Sequence, residues 1–197
     1  FIGAISFDSM CTPLLLARTN NNEITVGIVS SFMAIGCIAA SVLLSIIRQP
    51  SKKLPLMYLG SYLCLLGITL FGMGRNLVWW CIVVFIGCFG SPIYHTYQTI
   101  IIREKVDTTM QGRVFSLQGM ITQALTPLGF LMGGMLADYI FEPFMKKMSL
   151  HKNMITFLVG RQSGSGIGLI IVIAGVTGTV ALTIMKCNPA IKQLDQL

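Results

Sequence analysis

Six runs of apolar residues, most of them about twenty long and separated by polar connections, constrain this chain more than any other feature. A helix rises about 1.5 Å per residue, so about 20 residues cross the roughly 30 Å hydrocarbon core of a bilayer. The runs fall at about 1–16, 24–47, 54–73, 77–102, 114–140 and 164–185. Of the 197 residues 54% are hydrophobic and only 11% are charged, where an ordinary soluble domain carries roughly 25% charge. So few charges cannot cover so much apolar surface in water. A soluble enzyme, a disordered chain and a disulfide scaffold are excluded. The expected fold class is all-α, a polytopic membrane protein with six transmembrane helices.

Polar punctuation sets the boundaries. Arg18 and Thr19-Asn20-Asn21-Asn22-Glu23 close the first run, and Arg48-Gln49-Pro50-Ser51-Lys52-Lys53 close the second. Gly74-Arg75-Asn76 is a tight connection, and Arg103 to Arg113 reads as a charged loop. Gly90-Ser91-Pro92 interrupts the fourth run, while Pro127 lies inside the fifth. The first run is barely long enough to span. It opens at Phe1 without a Met, a basic leader or a cleavage site, so the expectation is a longer helix whose start lies upstream. The connection 141–163 mixes Phe144, Met145, Met148, Ile155, Phe157 and Leu158 with Lys146, Lys147 and Lys152 behind Pro143. It suits a short interfacial helix or a plain loop equally.

The charge of +7 comes from 14 basic and 7 acidic residues. The basic residues sit in connections and not in a stripe interleaved with aromatics, so nucleic acid is not an expected partner. Arg48, Lys52, Lys53, Arg103, Lys105, Arg113, Lys186 and Lys192 lie on the side of the C-terminal tail, against Arg18, Arg75, Lys146, Lys147, Lys152 and Arg161 on the other. Without the long connection the balance is eight against two, which puts the tail in the cytoplasm; with it the bias is weak. The six cysteines form no CxxC pair and no Cys/His cluster of ligand spacing, so neither metal nor cofactor is expected. A phosphate-binding GxxxxGK[ST] loop is missing, and Ser163 or Ser165 beside His151 or His95 lacks the strained turn of a nucleophile. The chain does not read as an enzyme.

Glu104-Lys105-Val106-Asp107, then Gln111-Gly112-Arg113-Val114-Phe115-Ser116, then Thr126-Pro127-Leu128-Gly129 and Gly133-Gly134-Met135-Leu136-Ala137-Asp138 form a characteristic string. It resembles the major facilitator superfamily, in its branch of macrolide-efflux-type drug exporters and enterobactin exporters. The resemblance runs from about Ile24 to Met185 and is sharpest from Pro92 to Pro143. Asp107 stands where that family usually has Pro. The resemblance implies that these six helices are the C-terminal bundle of a twelve-helix fold, partnered by an N-terminal six-helix half that this chain does not contain. It also implies a bacterial plasma-membrane location, a cytoplasmic C-terminus, antiport and antibiotic resistance.

Ionisable groups inside a bilayer are costly and usually face a cavity or a partner. Two lie well inside the runs, Asp8 and His95. Asp8 shares a helix face with Thr12 and is a candidate proton-coupling carboxylate; pairing with a charge outside this chain, or plain helix packing, is the alternative. His95 shares a face with Ser91 and Gln98, and suits a proton relay or a substrate hydrogen bond. Its alternative is a structural bond to a carbonyl opened by Pro92. Tyr94 and Tyr97 flank it as stacking or packing groups. Ser116, Gly119, Gln123 and Thr126 make a polar stripe that suits a substrate path or helix contact. Gly129 and Gly133 are packing glycines; Pro92 and Pro127 are kink positions. Arg103, Glu104, Asp107, Gly112 and Arg113 form a candidate cytoplasmic gate, or a solvated loop.

The function this adds up to is secondary active transport, with proton-coupled efflux of a small hydrophobic drug or metabolite, in contact with membrane lipid. The alternative is a non-transporting six-helix subunit or a truncated transporter remnant.

Overall fold

The computed structural model describes residue 7 and residues 9–47, 53–148 and 164–187; for residues 146–148 it describes the backbone alone. Every regular element among these residues is helical. They are α1 (Cys11–Arg18), α2 (Glu23–Ile46), α3 (Leu54–Met73), α4 (Leu77–Lys105), α5 (Thr108–Met135), a π-helical turn (Leu136–Phe141), α6 (Glu142–Met148) and α7 (Ser165–Cys187). Five stretches are long and apolar enough to cross a membrane: α2, α3, α4, α7 and the continuous run Thr108–Met145. Of the first apolar run, the described helix is α1, with 8 residues.

The polar run after α1 is a built corner. The Thr19 amide still bonds to Leu15 O, and Asn20 and Asn21 then turn with φ of 53° and 60°. Asparagine tolerates that left-handed backbone better than most side chains. Asn22 ends the corner by accepting the Ile24 amide at 3.1 Å, which caps α2.

Helix α4 is the centre. It packs most closely on α3 and α2, and α3 carries α7 on its other side. Glycine sets these distances. A Cβ at Gly67 would stand 2.5 Å from Gly87 Cα, and one at Gly90 would stand 2.5 Å from Gly60 O. The two backbones therefore touch where any side chain would separate them. A compact apolar core forms where α1 meets this bundle: Leu14, Leu15, Val29, Phe71, Trp80 and Ile171 are all essentially inaccessible. Phe7 reaches the same core and meets Phe71 edge-on at 5.6 Å. Outward faces are as apolar as the inside, with Ile24, Ile38, Ile46 and Val78 more than half exposed. That pattern suits lipid as the surrounding solvent.

Two expectations change, and a connection left open between helix and loop begins as helix. The fourth run is not interrupted at Gly90-Ser91-Pro92; α4 passes through Pro92 unbroken. Proline removes one donor, and a packed neighbour supplies the replacement. The charged loop Arg103 to Arg113 shrinks to Val106 and Asp107, because α4 runs on to Lys105 and α5 starts at Thr108. Charge marks where the apolar run stops, but Arg, Glu, Lys and Gln are good helix formers and carry the helices further. The connection 141–163 begins as helix, since α6 continues from α5 through the π turn. There Met145 is buried against Leu169 of α7. The remainder of that connection, 149–163, lies outside the described residues.

Candidate functional site

A polar-lined cavity lies between α3 and α4. It encloses about 360 Å³ and is walled by Phe7, Cys64, Gly67, Ile68, Val83, Val84, Gly87, Cys88, Ser91 and His95. The close Gly67–Gly87 contact lies in its wall. Apolar side chains make most of the lining, while Ser91 and His95, one helical turn apart on α4, supply hydroxyl and imidazole. His95 is exposed and its ring meets the edge of Tyr94 at 5.0 Å.

Thiols organise the back of the cavity. Cys64 Sγ donates to Gly87 O at 3.3 Å, and Cys37 Sγ donates to Cys88 O at 3.5 Å. Three helices thus bring sulfur to one stretch of the α4 backbone. Cys88 O is the carbonyl that Pro92, four residues on, cannot satisfy. The carbonyl opened by Pro92 is met by Cys37; no bond from His95 to it is present. No group of three His, Cys, Asp or Glu side chains able to hold a metal is found among the described residues.

The other sequence-derived candidates divide. Ser91 and His95 share the cavity wall. Gln98 and Tyr94 are half-buried beyond it, and Tyr97 is buried. Asp8 lies outside the described residues. Thr12 is exposed on α1, and Gln123 is exposed on α5. Gly129 and Gly133 are buried on α5. Elsewhere α5 stands largely apart from the other long helices, meeting the bundle chiefly through the turn after α4 and the π segment. A Cβ at Gly112 or Gly119 would meet nothing within 4 Å.

At the tail side, Glu104 pairs with Lys53 from the start of α3. Arg103 and Arg113 are exposed. Asp107 caps α5 by accepting the Thr109 amide at 3.3 Å. Gln111 closes the turn, donating to Arg103 O at 2.9 Å and Val106 O at 3.0 Å. Sequence reasoning counted Lys53 only for topology and gave Gln111 no separate role. The available signal was that the connections before α3 and after α4 face the same side. On the opposite side Arg18 donates to Gly74 O, and burial together with Arg75 pushes its guanidinium down to about 10.

Macrolide efflux protein A of Streptococcus pyogenes is 26% identical to this chain over 123 residues. The match takes in 61% of the chain and 30% of that protein. The version from S. pyogenes serotype M6 gives the same figures. The chain thus spans about a third of the length of the curated relatives it matches. No family model and no solved structure matches it.

Proposed function

We propose that this chain is the C-terminal six-helix bundle of a major-facilitator-type secondary transporter that exports a small hydrophobic compound in exchange for protons. The observation that carries the reading is the cavity on α4, apolar except for Ser91, His95 and two thiols. Such a lining suits an amphipathic ligand held by apolar contact and oriented by one or two hydrogen bonds. The similarity to a macrolide efflux protein supports export as the direction, and five membrane-length stretches support a multi-pass location. In this reading the first apolar run is the sixth span, the C-terminal tail is cytoplasmic, and the membrane is the bacterial plasma membrane. Six helices form one side of an alternating-access machine, so a second bundle completes it against the open face of α5. Asp8 and His95 are the proposed proton-handling groups, and the turn from Arg103 to Arg113 with its Lys53–Glu104 pair is the proposed cytoplasmic gate.

Drug accumulation in cells stripped of their main exporters tests this. The full-length parent should lower accumulation, a protonophore should abolish the effect, and His95→Asn and Asp8→Asn should each impair it with membrane expression intact. A parent that leaves accumulation of a broad hydrophobic panel unchanged returns the chain to the class of non-transporting subunits.

A further inference from the structure

A second groove, on the outer surface between α3 and α7, is built differently from the cavity. It also encloses about 360 Å³. Pro55, Leu59, Leu63 and Leu66 form one stripe along α3, with Tyr62 beside them and Lys186 of α7 at the tail-side end. Tyr62 and Lys186 are fixed to each other and to α7. The Tyr62 hydroxyl lies 3.1 Å from Thr183 Oγ1, and Lys186 Nζ sits 5.7 Å from the centre of the Tyr62 ring. Leu59 and Leu66 remain 49% exposed inside a membrane-length helix.

We infer that this groove holds an anionic phospholipid, with its phosphate on Lys186 and one acyl chain along the leucine stripe. Three features argue for that occupant. The first is length: Pro55 to Leu66 spans about 16 Å at the helical rise, close to half of the roughly 30 Å hydrocarbon core, hence one leaflet. The second is charge. Lys186 is exposed and has no carboxylate partner among the described residues, where the single ion pair uses Lys53 and Glu104. A cation at the rim of an interhelical groove matches a lipid phosphate. The third is polarity: Tyr58, Tyr62 and Lys186 border the groove up to Leu63, and beyond it the lining is Leu66 alone, so polar groups give way to apolar ones along it as in a phospholipid. This lipid is retained and headgroup-selective, unlike the bulk lipid around α2. The inference is independent of transport and needs only that the helices span a membrane.

The test is native mass spectrometry of the purified chain after incubation in phosphatidylcholine vesicles containing phosphatidylglycerol as a minor component. The wild type should retain phosphatidylglycerol about fivefold over its share, the factor that about 1 kcal/mol per lysine at the surface corresponds to. Lys186→Gln should remove the preference and Lys186→Arg should restore it. Lys105→Gln, which deletes an exposed cation on the same side outside the groove, should leave it unchanged. Leu63→Trp should expel the lipid with the charge still in place. Equal retention of both lipids by the wild type overturns the inference, as does an equal loss in Lys186→Gln and Lys105→Gln, which would be diffuse surface charge. A doubled mass that Leu63→Trp disrupts would give the groove to a second copy of the chain and overturns it too.

Discussion

The Cys37 thiol on α2 donates across 3.5 Å to the carbonyl oxygen of Cys88, the acceptor that Pro92 leaves without its helical donor. A residue that reads as a helix breaker is thus absorbed by a thiol contributed from a different helix. The bond ties α2 to α4 beside the cavity. Hydrogen bonds between membrane helices average about 0.6 kcal/mol. Cys37→Ala should therefore lower stability by about that amount, measured by unfolding in detergent. In a Pro92→Ala background, where residue 92 regains its N–H, the same substitution should cost close to nothing. A cost unchanged by Pro92→Ala would mean that the thiol acts through packing alone.

The glycine contacts make a sharper pair of expectations. At Gly67 an added methyl would lie 2.5 Å from Gly87 Cα, against backbone that cannot swing aside. Gly67→Ala should destabilise by about 1–3 kcal/mol, the usual cost of overpacking. Gly119→Ala has open space around it and should be neutral or slightly stabilising, since alanine favours helix. Thermal unfolding of the two variants side by side checks the contrast. If a second bundle covers α5, Gly119→Leu in the full-length parent should lose export while this chain alone keeps its stability.

The helices were legible in the sequence because apolar runs of membrane length have few other readings. Their ends were less so. Arg103, Glu104 and Lys105 read as loop because they are charged, yet they are the last turn of α4. Of the glycines that matter most, Gly60, Gly67 and Gly87 attracted no attention and Gly90 was read only as part of a break, whereas Gly129 and Gly133 stood out because they form a four-residue spacing. Close approach depends on which glycine faces which, and a single helix does not record its neighbour. His95 and Ser91 were singled out because polar groups in an apolar run stand out, and both line the cavity between α3 and α4. Cys37, Cys64 and Cys88 were set aside because they form no CxxC pair and no cluster of ligand spacing, and only the bonds from Cys37 and Cys64 to the Cys88 and Gly87 carbonyls bring them together beside the cavity.

The Lys53–Glu104 pair is partly open to water, with side chains 20% and 51% accessible. Screening limits such a pair to about 0–1 kcal/mol. Glu104→Gln should hardly move the unfolding transition. If the pair is a gate contact, the same substitution should change the export rate of the full-length parent, and the exchanged pair Lys53→Glu with Glu104→Lys should recover it. Export that tolerates Glu104→Gln and the exchange alike would assign the pair to local structure.

The Glu142 carboxylate accepts the Gly166 amide at 3.2 Å, which fastens the start of α6 to the start of α7. The amide is one of the unsatisfied donors at a helix N-terminus, where a negative charge is also favoured by the helix dipole. Glu142→Gln keeps an acceptor but loses the charge, and Glu142→Ala loses both. Both should loosen this junction, Glu142→Ala by about 0.5–2 kcal/mol, the range for a lost cap, and Glu142→Gln by less. Hydrogen exchange at the Gly166 and Ile167 amides reads the effect locally. Protection should fall there in both variants while the α3–α4 contact near Gly67 stays protected, because the core around Leu14, Phe71 and Trp80 does not depend on this bond. A uniform loss of protection throughout the bundle would instead make the junction part of the core.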